Sequence, residues 1–236
     1  MSLRQSVRFL GAGALIASGM VIGTVAPAAS AEPCPDVEVV FARGTSEAPG
    51  VGGTGQAFVD TFRNLTPGKS VAVYPVNYPA SDNFSDRIAF AQNVVDGVRD
   101  AGSRLESMSA ACPDTRMVLG GFSQGAAVAG YVTAAAIPDG IPDEYIAYIP
   151  NPLPPEVADH VAAVVLLGGP SDEFLNQFGA PIGTIGPLYA PKTIELCAPG
   201  DTICDGTPGA MPSMAHAMYP LNGMVGEAAA YAAGKA

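Results

Sequence analysis

Short apolar runs alternate with longer, helix-length stretches along most of the chain, and the runs carry the stronger signal. Val37–Ala42, Ser70–Tyr74, Thr115–Phe122, Val161–Leu167 and Thr193–Ala198 are five to eight residues long and rich in Val, Ile and Leu. Val161–Leu167 is apolar throughout instead of alternating, as a strand buried on both faces requires. Between these runs, Gly55–Leu65, Asp82–Ala111, Gln124–Ala135 and Met224–Ala233 read as helices. In the longest of them Ile88, Val95, Val98 and Leu105 define the expected buried face, with Asp82 as N-cap. The alternation predicts an α/β fold with a mostly parallel sheet and helices on both faces. Arg43–Thr54 reads as a Gly-rich loop, and Pro-rich Ile137–Pro155 as a surface excursion with one helical turn at most. No internal repeat and no second domain are visible.

The first residues have a different character. Arg4 and Arg8 precede an apolar stretch, Phe9–Val25, and Ala29-Ser30-Ala31 has the small-x-small form of a signal peptidase site. Residues 1–31 are therefore expected to be a secretory signal peptide, leaving residues 32–236 as one domain of 205 residues, outside the cell and either free or attached to its envelope. No paired arginine supports a twin-arginine route, and no later segment is long and apolar enough to span a bilayer. Eleven basic against 22 acidic residues give a formal net charge of −11, which becomes −13 without Arg4 and Arg8. Such a surface argues against nucleic acid and against electrostatic docking on anionic membranes.

Four cysteines in a secreted chain imply two disulfides with three connectivities. Cys197 and Cys204 flank a short loop with Pro and Gly that can close between them, which leaves Cys34 and Cys112 to pair. The absence of a Cys-x-x-Cys pair argues against a metal site.

The candidate chemistry centres on Gly121-Phe122-Ser123-Gln124-Gly125, which lies between the predicted strand ending at Phe122 and the predicted helix from Gln124. Strand, Gly-x-Ser-x-Gly, helix is the context of a nucleophile elbow, in which a sharp turn lifts the serine hydroxyl above the sheet. A nucleophilic serine needs a base, and the base needs an orienting acid. Residues 32–236 contain two histidines, His160 and His216. His216 follows all the other candidates, in the order Ser, Asp, His, whereas His160 precedes the best acid and reads as a strand-edge residue. That acid is Asp201, at the end of a predicted strand and inside the Cys197–Cys204 loop; Asp205 reads as a turn residue. The oxyanion formed on attack needs N–H donors. The Gln124 amide supplies one, and the loop after the first strand, through Thr45 or Ser46, supplies another. Phe84, Phe178, Ile182, Met211 and Met214, with Leu175 and Met218, are candidates for an acyl groove. No cofactor is called for.

Three blocks together resemble the cutinase family. They are Phe41-Ala42-Arg43-Gly44-Thr45-Ser46-Glu47, Gly120-Gly121-Phe122-Ser123-Gln124-Gly125-Ala126-Ala127, and Cys197-Ala198-Pro199-Gly200-Asp201-Thr202-Ile203-Cys204 followed by His216. The match is closest to the actinobacterial, mycobacterial-type secreted esterases and covers nearly all of residues 32–236. The resemblance implies a small α/β-hydrolase fold with a central five-stranded parallel sheet and no large lid. It implies a Ser123–His216–Asp201 triad, an oxyanion hole of Gln124 and Thr45, and bridges Cys34–Cys112 and Cys197–Cys204. Phe122 stands where the family often has Tyr, a packing position. The family's shape implies an open, shallow site acting on short- to medium-chain esters, cutin-like polyesters or lipids. The expected partner is thus an ester substrate, with neither metal nor nucleic acid, and the chain is expected to act as a monomer. An acyltransferase, or a secreted binding protein of the same fold, is the alternative; the intact triad residues argue against the second.

Overall fold

The computed structural model describes residues 33–209 and 211–236; the expected signal peptide at 1–31 lies outside the described residues. Cys34–Ala236 forms one compact unit. Its sheet has five parallel strands, β1 (Val37–Ala42), β2 (Val71–Pro75), β3 (Arg116–Phe122), β4 (Val161–Leu167) and β5 (Thr193–Leu196), in the order β2-β1-β3-β4-β5. The most apolar runs are the central ones: β1 and β4 are buried at every position, as is β3 after Arg116. Glu38 is the one acid inside β1. Its carboxylate is held by the guanidinium of Arg104, which also lies 4.7 Å over the Tyr74 ring. The unpaired charge would make that strand untenable in the core.

Helices cover both faces. One core packs Val40, Met117, Leu119 and Val164 against α2 (Arg87–Ala111) and α3 (Gln124–Val132). The other packs Val39, Phe41, Val165 and Leu167 against α1 (Gly52–Leu65) and the C-terminal helix, Met224–Ala233. Short helices α4 (Asp143–Ile146), α5 (Val157–His160), α6 (Asp172–Gln177) and α7 (Met214–Ala217) lie in the connections, which makes the C-terminal helix α8.

Three helix boundaries differ from the sequence-based expectation. α1 starts at Gly52 and not Gly55, because Glu47 accepts from the Gly53 amide (2.7 Å) and satisfies an orphan donor of the first turn from outside the helix. α2 starts at Arg87, capped by Asp86 (Ala89 N–H to Oδ1, 3.0 Å), while Asp82 instead accepts from the Ser46 hydroxyl. α3 stops at Val132, and Ala134 turns out to bridge Ile185.

The face of α2 also differs. Its buried stripe is Asn93, Gly97, Ala101, Leu105 and Met108. A Cβ on Gly97 would sit 3.1 Å from Tyr78 and Val128, so a small residue sets the approach of α2 to the core. Ile88 is 54 % exposed, and Val95 and Val98 are half-buried; these face a cavity, described below.

Both bridges are present, Cys34–Cys112 and Cys197–Cys204. The first closes a separation of 78 residues. Replacing Cys34 and Cys112 by Ser is expected to cost about 4–5 kcal/mol and to lower the melting temperature by about 10–15 °C in a scanning unfolding experiment. A change under about 3 °C would mean that the unfolded chain is not restrained by this link.

Candidate active site

The turn after β3 is built on two glycines that admit no side chain. A Cβ on Gly121 would lie 2.0 Å from the Gly125 carbonyl oxygen, and one on Gly125 would lie 2.0 Å from the Ala42 carbonyl oxygen. This close approach lets α3 start immediately above the sheet edge. Between them Ser123 adopts φ 55°, ψ −119°, a conformation strained for any residue with a Cβ. Ser123 occupies the N-cap position, but its hydroxyl makes no capping bond. It lies 2.8 Å from His216 Nε2.

His216 sits in α7 and is carried to Ser123 across 93 residues of sequence. Its Nδ1 lies 2.9 and 2.8 Å from the two oxygens of Asp201. A carboxylate only accepts, so Nδ1 donates and Nε2 is left to accept from Ser123. Phe122 stacks on the imidazole at 5.0 Å between ring centres and fixes its plane. Asp201 is fully buried just beyond β5. Burial pushes its carboxyl up. The hydrogen bonds from His216 and the Tyr219 hydroxyl (2.8 Å), the imidazole's charge and the Ile203 amide (3.1 Å) outweigh it and hold the group below the ordinary carboxylate range. His160 stands apart, with Nδ1 against the Pro113 carbonyl, and Asp205 takes part in a turn with Thr207.

Sequence reasoning missed Tyr219. Its side chain is completely buried, its oxygen accepts from the Ala198 amide (2.9 Å), and its hydroxyl donates to Asp201. Burial, with the hydrogen bond to Asp201 and that carboxylate's charge, outweighs the Ala198 amide and keeps the phenol well above its ordinary range, so it stays a donor. No local spacing marked it: Tyr219 lies beyond α7 and reaches Asp201 across 18 residues of sequence. Tyr219→Phe would strip a donor from Asp201 and orphan the Ala198 amide. It is expected to cost about 1–3 kcal/mol in urea unfolding and to lower kcat more than it changes KM. An unchanged kcat would make Tyr219 a packing residue only.

The loop after β1 forms the facing wall. Arg43 donates to the carbonyls of Glu47, Tyr78 and Pro79, and the Tyr78 hydroxyl donates back to the Arg43 carbonyl. Glu47 clamps the loop from the other side through the amides of Gly44 and Gly53. Ser46 spends its amide on Ala80 and its hydroxyl on Asp82, whereas Thr45 faces the cavity beside Ser123. Gln124, at the first position of α3, has an amide with no helical carbonyl to meet. Its side chain is pinned: Asn93 donates to its Oε1, and its Nε2 donates to the Ser81 carbonyl. Asn93, a second residue absent from the sequence reading, therefore sets the geometry of the residue after Ser123.

Ser123, His216 and Thr45 open into a cavity of about 1090 Å³. Phe84 and Phe178 line it, their rings 5.6 Å apart, as does Leu175. Ile182, Met211 and Met214 do not: they stand on the surface, Met211 and Met214 nearly four-fifths exposed, and Met218 is also outside the lining. Apolar character near His216 in sequence did not place them, because the segment 202–214 is directed by the Thr202 hydroxyl on the Met211 carbonyl and the Ser213 hydroxyl on Gly200. Among the described residues no group of three or more His, Cys, Asp or Glu is placed to hold a metal.

A parallel sheet with a serine on a strained turn at its C-terminal edge, a histidine and a buried carboxylate in line define an α/β hydrolase. The cutinase family model matches residues 33–236, and the chain belongs to the cutinase family. It is 56 % identical over 168 residues to the probable carboxylesterase Culp7 of Mycobacterium tuberculosis, covering 71 % of this chain and 86 % of that one. It is 44 % identical over 241 residues to the carboxylesterase Culp1 of Mycobacterium bovis, covering 100 % and 98 %. Among solved structures, a Trichoderma reesei cutinase in complex with a phosphonate inhibitor aligns with TM-score 0.59 at 28 % identity, over 85 % of this chain and 76 % of that one. The chain is a carboxylic ester hydrolase resembling the mycobacterial carboxylesterases.

Proposed function

We propose that this chain is a secreted serine esterase that works through an acyl-enzyme on Ser123. The observation that carries this reading is the hydrogen-bonded line Asp201–His216–Ser123, each link 2.8–2.9 Å, ending at an apolar cavity. Ser123 Oγ attacks the ester carbonyl while its proton passes to His216 Nε2. The oxyanion takes hydrogen bonds from the Gln124 amide and from Thr45. Collapse of the tetrahedral species expels the alcohol, which takes the proton back from Nε2. Water then attacks the acyl carbon, with His216 again as base, and the carboxylic acid leaves as Ser123 regains its proton. Asp201 fixes the imidazole tautomer and stabilises the imidazolium. The substrate class is short- to medium-chain carboxylic esters, cutin-like polyesters and lipid esters. The residues 1–31 pattern and two disulfides support export to an oxidising compartment.

The test is hydrolysis of p-nitrophenyl esters by the purified protein, with mass-spectrometric location of the adduct left by a p-nitrophenyl phosphonate. One equivalent on Ser123 and loss of turnover are expected. A folded, disulfide-bonded protein that cleaves no ester, or an adduct elsewhere, would overturn the reading. Activity should fall as the solution is made acidic, because the base must be neutral; a flat profile from about pH 5 to 8 would remove His216 from the role.

A further inference from the structure

Phe122 is the last residue of β3 and directly precedes the serine, and three parts of the site meet on its ring. His216 stacks on its face, with ring centres 5.0 Å apart and planes 27° from parallel, within the range of an offset stack. Tyr219, which donates to Asp201, packs on Phe122 at 5.4 Å and meets the imidazole edge-on, at 6.3 Å and 81°. Gly44, in the loop that carries Thr45, makes room for the same ring: a Cβ there would lie 2.8 Å from Phe122 Cδ1. The contact is nearly dry, since Phe122 is 9 % exposed and the His216 side chain 12 % exposed.

We propose that Phe122 is a catalytic residue: the face of its ring stabilises the imidazolium that forms when Ser123 gives its proton to His216. The assignment rests on the esterase reading above and adds a support to that mechanism. The face of a benzene ring is the negative side of its quadrupole, and a cation within about 6 Å of the ring centre is attracted to it. Both half-reactions start from a neutral imidazole and pass through an imidazolium, so the attraction grows on the way to the transition state and lowers the barrier instead of tightening ester binding. Asp201 meets the positive charge at Nδ1, on the edge of the imidazole, and Phe122 meets it on the flat side. Low exposure of both rings keeps water from screening the contact. A residue that only packed here would need volume and no π face, and leucine would serve.

The experiment replaces Phe122 with mono-, di- and trifluorophenylalanine in the full protein, and separately makes Phe122→Leu. Fluorine withdraws electron density from the ring face stepwise and hardly changes the ring's size, so a purely steric role is left intact. With p-nitrophenyl butyrate, log kcat is expected to fall with each added fluorine, by about five- to thirtyfold over the series, while KM stays within about twofold. Phe122→Leu should lose at least as much. A kcat that stays level across the fluorinated proteins overturns the proposal, even if Phe122→Leu is slow, because the ring is then a spacer. NMR tests the contact without turnover. The C–H signals of the His216 ring should lie upfield of their place in Phe122→Leu, through the ring current of the stacked face, and coincident signals overturn the proposal. The two failures read apart. An active parent with a level series overturns the role of Phe122 alone, whereas a folded parent that shows the stack and cleaves no ester overturns the esterase reading, and the role falls with it.

Discussion

Ser123→Ala is expected to lower kcat by about 10⁵-fold or more, the scale seen when a serine nucleophile is removed from a working triad. The geometry gives the reason. The hydroxyl lies 2.8 Å from His216 Nε2 and holds no other structural duty, since it makes no capping bond for α3. Alanine keeps the Cβ and hence the same strained backbone at φ 55°. It also keeps Gly121 and Gly125 in their close approach to backbone. The fold should thus survive, with a melting temperature within about 2 °C of the parent, and the phosphonate adduct should disappear. Initial rates with a short p-nitrophenyl ester provide the measurement. More than about 1 % residual kcat would place the nucleophile elsewhere.

Asp201→Asn is expected to lower kcat by about 10⁴-fold with little effect on ester binding. Three donors converge on the two carboxylate oxygens: the imidazole Nδ1, the Tyr219 hydroxyl and the Ile203 amide. An amide in that place turns an NH₂ toward one of them, and whichever way it is set, a donor faces a donor. His216 Nδ1 spans both oxygens, so in either orientation it faces an NH₂ on one side, which weakens the hold that keeps its proton on Nδ1 and leaves Nε2 to accept from Ser123. The substitution also alters acid sensitivity. The folded state depresses the Asp201 pKa, so its charge contributes stability above the ordinary carboxylate range and loses that contribution as pH falls through the depressed value. Unfolding measured at descending pH should therefore be less steep in the variant between about pH 4 and 2. Equal steepness would show that other carboxylates carry the acid response.

The elements most legible in the sequence were those set by burial alone. β1 and β4 are buried at every position, and their apolar runs mark them residue for residue. Ser123, Asp201 and His216 were legible for a different reason: a glycine pattern fixed one, and a scarcity of histidine and the order of residues narrowed the other two. Burial patterns misread α2, because Ile88 and Val95 look the same whether they face a core or a cavity, while Gly97 and Ala101 conceal their role by being small. The supports of the site were illegible. Tyr219 meets Asp201 across 18 residues, and Asn93 meets Gln124 across 31, by contacts that no local spacing announces. Ile182, Met211 and Met214 failed as groove residues because apolar character fixes neither direction nor depth.

The distances in sequence between the site's parts have a consequence for synthesis. Ser123 is in place on β3 long before the base is made: His216 follows it by 93 residues and reaches it only after β4, β5 and the Cys197–Cys204 loop are laid down. A nascent chain that has emerged only as far as β5 carries the serine without its histidine. Such a chain lacks the base that the proposed mechanism requires, so on that reading ester cleavage waits until the C-terminal segment has been made.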